Sequence, residues 1–197
     1  MYKLEQAAAE GNKMRLKDNL QGDSYMKKSE IAEMYASFKT FYGFEKAGTD
    51  IEKAWCIKGA IGKTLRELAG DDGTTNLYAK GYDHVIIPHA VAGMDSETMT
   101  MLANEIVVLP EATGNIAIVG ADTGIYHFSN AEFSMFDVKR IGECHGVSYG
   151  AGIYLTDTPI SSYGKKYNVD ISSLKKPYVL NLFDDKAVAD YLYDCAG

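Results

Sequence analysis

The sequence predicts an α+β fold: helices in the first third, then a mostly antiparallel sheet, then a last helix. Two observations carry this. Apolar residues recur at three and four positions through residues 28–68, the period of a helix packed on one face. From Tyr82 onward the pattern changes to short, apolar, β-branched runs separated by turn residues.

The elements follow in order. Ile31, Met34, Tyr35 and Phe38 define a first helix over Lys28 to Phe44, with Gly43 and the charges after it as its end. Ile51, Trp55, Ile57, Ile61, Leu65 and Leu68 define a second, with Asp50 as N-cap and Gly70 as C-cap. Asp71 to Thr75 is a turn. Tyr82 to Val91 is a strand that Pro88 ends or marks as an edge. Residues 95–102 are expected as a short helix. Further strands are expected at Asn104 to Ala112, Asn115 to Gly120, GIYHFS, GIYLTD and Pro177 to Phe183, and a final helix at Asp184 to Tyr193.

With 46% hydrophobic and 24% charged residues, the 197-residue chain has the balance of an ordinary globular domain. A net charge of -7 argues against holding long nucleic acid by phosphate neutralisation, but leaves room for a small anionic ligand. Cys56, Cys144 and Cys195 are odd in number and widely spaced, so no disulfide framework is expected. The N-terminus lacks the apolar core of a secretory signal, and no run is long enough for a membrane span. A cytoplasmic protein, or one delivered into a host cytoplasm, is the expectation.

The chemistry-bearing stretch runs from Tyr126 to Asp157, YHFSNAEFSMFDVKRIGECHGVSYGAGIYLTD. Tyr126, His127, Ser129, Phe133, Phe136, Asp137, Ile141 and Gly142 are followed by Gly150, Gly152, Ile153, Tyr154, Thr156 and Asp157. This pattern resembles the opening half of an ADP-ribosyltransferase domain of the diphtheria-toxin and poly-ADP-ribosyl type, in its bacterial and phage form. Phe128 stands where that family usually has Gly. Upstream, Lys80-Gly81-Tyr82-Asp83 and Asn104-Glu105-Ile106-Val107-Val108 resemble the family's closing half, including its glutamate strand.

The two halves therefore stand in reversed order. The resemblance implies one circularly permuted, ADP-ribosyltransferase-like split β-sandwich with flanking helices. Residues 1–79 supply a mainly helical part and 80–197 the sandwich core, with the joint near Thr113 to Thr123. Permutation is tolerated when the new break lies at the surface. Tail and head fragments of two separate domains would leave apolar faces and edges uncovered.

The resemblance implies NAD as co-substrate. Glu105, His127 and Tyr154 are then the catalytic residues. Glu105 stabilises the oxocarbenium-like sugar, His127 binds the adenosine-side ribose, and Tyr154 stacks on nicotinamide. Phe128 and Ser129 line the cofactor site, and Tyr163, with Tyr167 as alternative, closes the stack. Taken alone, each residue has a plainer role: a strand-end histidine, one tyrosine of 14, an exposed strand glutamate. Ala103 leaves no acid two residues before Glu105, which disfavours arginine as acceptor and leaves another amino acid, a nucleotide or water.

Other groups carry less. His84, His89, Cys144 and His145 form no zinc spacing, so no metal is expected. Gly59 to Thr64 lacks phosphate-loop spacing, and Lys175-Lys176 reads as solvated surface. The expected function is an NAD-dependent ADP-ribosyltransferase acting on a protein or nucleotide. The alternatives are an NAD glycohydrolase and a non-catalytic nucleotide- or partner-binding module.

Overall fold

The computed structural model describes residues 26–71, 73–92, 101–142, 147–159 and 164–197. Two helices lead, α1 (Lys28–Phe41) and α2 (Asp50–Ala69). Seven strands follow: β1 (His84–Ala92), β2 (Met101–Val108), β3 (Ala117–Val119), β4 (Tyr126–Ser129), β5 (Ile153–Thr156), β6 (Lys165–Asp170) and β7 (Pro177–Val179). Helix α3 (Asp185–Ala196) closes the chain. The result is a mixed α+β fold with a seven-stranded sheet flanked by helices.

Helix α1 stops where Gly43 turns to a φ of 82°, and a short 3₁₀ turn, Phe44–Lys46, follows. Helix α2 is capped by Thr49 rather than Asp50. The Thr49 hydroxyl accepts from the Glu52 amide at 3.2 Å, and the Glu52 carboxylate accepts from the Thr49 amide at 2.9 Å. The reciprocal pair satisfies two amides that a helix start leaves orphaned. Gly70, with φ at 84°, ends α2 as expected.

The sheet order is β3-β6-β4-β5-β2-β1-β7, antiparallel except for β1 with β7. All strands share one hydrogen-bonded sheet, whereas a split sandwich has two facing ones. The flank β3-β6-β4 joins the flank β5-β2-β1-β7 through a single residue pair, Tyr126 with Thr156.

Side chains alternate across the sheet, and so do the two cores. Val85, Ile87 and Val107 face the helices, packing with Ile57, Ile61 and Leu65 of α2, Ile31 and Tyr35 of α1, and Val188 and Leu192 of α3. Ile106, Val108, Ile153, Leu155 and Val169 face the other way, covered by Ala112, Ile116, Phe136 and Ile141.

Several boundaries differ from the sequence reading. Met101 and Leu102 begin β2 and are not helical; residues 95–100 of the expected helix lie outside the described residues. Strand β2 ends at Val108, because Pro110 opens a 3₁₀ helix, Pro110–Asn115. Pro88 does not end β1. The register slips between Ile87 and Ala90, with His89 at a φ of 56°, and β7 pairs only with residues 84–86 of β1. Pro88 therefore sits at a bulge where no ladder partner needs its missing N–H. The strand expected at Asn115 to Gly120, inside the joint Thr113 to Thr123, is the shorter edge strand β3. Strand β6 was not expected at all.

Candidate functional site

Glu105 sits in β2 opposite Ile87 of β1 and Thr156 of β5. Tyr154, two residues before Thr156, is opposite Val107. Opposed residues point to the same side, so Glu105 and Tyr154 are diagonal neighbours on the helix-facing side. The glutamate side chain is only 16% exposed. Its Oε2 is buried and accepts no hydrogen bond. The Lys58 ammonium of α2 stands 3.6 Å away, at ion-pair but not hydrogen-bond distance. Burial pushes the Glu105 carboxyl above its ordinary pKa, and Lys58 opposes that shift.

Tyr154 is fixed at both ends. Its hydroxyl donates to the Gly150 carbonyl and accepts from the Tyr149 amide, each at 2.8 Å. Tyr149 is fully buried, its hydroxyl has no partner, and Lys58 lies 5.4 Å from its ring centroid. Burial, reinforced by the Glu105 charge, pushes both tyrosine hydroxyls well above their ordinary pKa. Two phenols held neutral therefore stand beside one carboxylate and one ammonium.

The G-x-G run before β5 has a packing reason. Gly150 lies at a φ of 98°. At Gly152 a Cβ would come within 2.5 Å of the Val108 carbonyl oxygen and 2.6 Å of Val107. Only glycine lets this segment approach β2 and start β5 in register.

His127 lies elsewhere. Tyr126 pairs with Thr156, and Thr156 with Glu105, so Tyr126 shares the Glu105 side. His127 alternates to the opposite side, where it meets Phe133 and Phe136 edge-on at 5.7 and 5.3 Å. Its Nδ1 donates to the Tyr154 carbonyl at 2.9 Å. Burial pushes its pKa down, so the ring is held neutral; the Tyr154 bond acts the other way. The expectation that Glu105, His127 and Tyr154 line one cleft is thus corrected: the sheet's two-residue alternation separates His127 from the other two.

The remaining expected residues fall as follows. Phe128 is half-buried in β4, opposite Lys166, its ring 6.4 Å from Tyr126. The Ser129 hydroxyl accepts from the Ala131 amide at 3.1 Å, a local turn bond. Tyr163, Cys144 and His145 lie outside the described residues. Tyr167, the alternative to Tyr163, is in β6, stacked on Phe133 at 4.5 Å with its hydroxyl donating to Ala131. That is a packing role on the His127 side.

Lys58 was not singled out in the sequence. The signal was there: it lies four residues after Ala54 and three before Ile61, both fully buried, so it falls on the apolar stripe of α2. Among the described residues, no three His, Cys, Asp or Glu side chains gather to hold a metal. No described helix is long and apolar enough to cross a membrane. Set against known proteins, the chain matches no protein-family model, no curated protein and no solved structure.

Proposed function

We propose that this chain is an NAD-dependent ADP-ribosyltransferase of circularly permuted order. The observation that supports the reading is the diagonal pairing of Glu105 and Tyr154 on one side of adjacent strands. The sequence separates these residues and places them in motif halves of reversed order, yet β2 and β5 are neighbours. A carboxylate beside an aromatic ring suits cleavage of a nicotinamide–ribose bond. The ring offers a face for nicotinamide. The carboxylate stabilises positive charge developing on the sugar and accepts a ribose hydroxyl. Glu105 must be ionised for both tasks.

In this reading His127 acts as a support. Through the Tyr154 carbonyl it fixes the backbone of the strand that carries the aromatic face. Ala103, two residues before Glu105, offers no second acid. A protein side chain other than arginine, or a nucleotide, is the acceptor class; water as acceptor gives the glycohydrolase.

A non-catalytic module of the same fold is the second reading. The observation that favours it is His127 turned away from Glu105. One assay separates the readings. The chain is incubated with NAD labelled on the adenosine side, alone and with protein or nucleotide acceptors. Nicotinamide release with label transfer supports the transferase, and release without transfer the glycohydrolase. Absence of release under all conditions leaves the binding module.

A further inference from the structure

We propose that Lys58 is a positioning residue for Glu105: its ammonium, reaching across from α2, keeps the largely buried carboxylate charged without using up its acceptor capacity. The proposal rests on reading Glu105 as the catalytic carboxylate. Three observations carry it. The two charges lie 3.6 Å apart with both side chains 16% exposed, where water screens them little. Glu105 Oε2 is buried and accepts no hydrogen bond, so the ammonium is the polar group set against it among the described residues. Among the described residues, the other ionisable groups coupled to the carboxylate are Tyr149 and Tyr154, both held neutral, and Tyr35 of α1 couples in turn to Tyr149. Its strand partners, Ile87 and Thr156, carry no charge. The described surroundings thus offer Lys58 as the counter-charge.

The geometry distinguishes this pair from a structural salt bridge. A structural pair saturates its carboxylate with short, directional hydrogen bonds. Here the ammonium stands back, over the Tyr149 ring, and supplies field rather than a bond.

The test is a carboxyl-carbon NMR titration of the full chain, with the Glu105 signal assigned by its disappearance in Glu105→Gln. Removing the charge with Lys58→Met is expected to raise the Glu105 midpoint by about one unit or more. Lys58→Arg is expected to leave it near the parent value. Where nicotinamide release is measurable, the acid limb of its pH profile should move with the midpoint. Equal midpoints in the parent and Lys58→Met would overturn the proposal. If Lys58→Met does not fold, Lys58→Gln replaces it. If neither folds, the parent decides: a Glu105 midpoint at or above neutrality overturns the proposal, and one below it with Lys58→Arg unchanged supports it. A parent that releases no nicotinamide while the midpoint still moves defeats the transferase reading and leaves the electrostatic coupling standing.

Discussion

The Lys58 ammonium and the Glu105 carboxylate lie 3.6 Å apart across the boundary between α2 and the sheet. Removing the carboxylate charge while keeping its size tests both chemistry and stability. On the proposed transferase reading, Glu105→Gln is expected to keep NAD bound and lower turnover by about 100-fold or more. The stability effect has a defined sign. The folded carboxyl titrates above its unfolded value, so the folded state binds its proton first as pH falls. The parent should therefore gain stability relative to Glu105→Gln as pH drops through the folded midpoint toward the unfolded one. Thermal melts of both chains across that range check it; parallel curves would show that Glu105 is not shifted.

His127 should behave in the opposite sense. Its folded pKa lies below the ordinary value, so the unfolded chain takes up the proton first as pH falls. Its contribution is fully present above the unfolded pKa and is lost as pH falls toward the folded one. Denaturant unfolding of the parent and His127→Phe from about pH 8 to about pH 5 should show this loss in the parent only. Losing the bond to the Tyr154 carbonyl should cost His127→Phe about 1 kcal/mol at the upper end.

Asp83 is a clamp between three strands. Its carboxylate accepts from the Lys175 amide at 2.7 Å, the Lys176 amide at 3.1 Å and His84 Nδ1 at 2.5 Å. Its own backbone bonds Lys176 and the Leu109 amide. Burial alone would raise its pKa, but these donors hold it below the ordinary value. Asp83→Asn should destabilise the fold by about 1.5–3 kcal/mol at neutral pH. The difference should shrink as pH falls through the folded Asp83 pKa, where the parent loses the same charge. Urea titration at neutral and acidic pH measures it.

Gly152→Ala tests the close approach before β5. The added methyl meets the Val108 carbonyl oxygen and Val107 side chain inside contact distance, and the carbonyl belongs to β2 itself. A loss of about 1–3 kcal/mol is expected, read as a lower urea midpoint. On the proposed transferase reading, nicotinamide release should fall as well, because the strain moves β5 against β2 and so Tyr154 against Glu105.

The helices and the strong strands were legible because their apolar periods are long or uninterrupted. The stripe from Ile57 through Ile61 to Leu65 is buried as its spacing requires. Strand β6 is not legible in the sequence because Lys165, Lys166, Asn168 and Asp170 dilute it. Only Tyr167 and Val169 alternate inward, a signal too short for a pattern of runs. Asp50 reads as the cap because aspartate suits that position, and only the Thr49–Glu52 spacing points to Thr49 instead. Of the site, the adjacency of the Glu105 and Tyr154 strands was implied by the motif halves. The side on which His127 lies was not, because it depends on a register set by one pair, Tyr126 with Thr156.

That lone pair also divides the sheet mechanically. Between β4 and β5 the ladder has one rung, whereas β4 and β6 share four and β2 and β5 share four. The β3-β6-β4 flank is therefore held to the rest of the sheet by little backbone pairing, and the His127–Tyr154 hydrogen bond and the core shared by Val169, Ile153 and Leu155 supply the rest. Amides of β6 and β4 should open together in hydrogen exchange, ahead of those in β1 and β2 beneath the helices. Tyr154 borders this tear line, so the breathing of one short flank reaches the residue that pairs diagonally with Glu105.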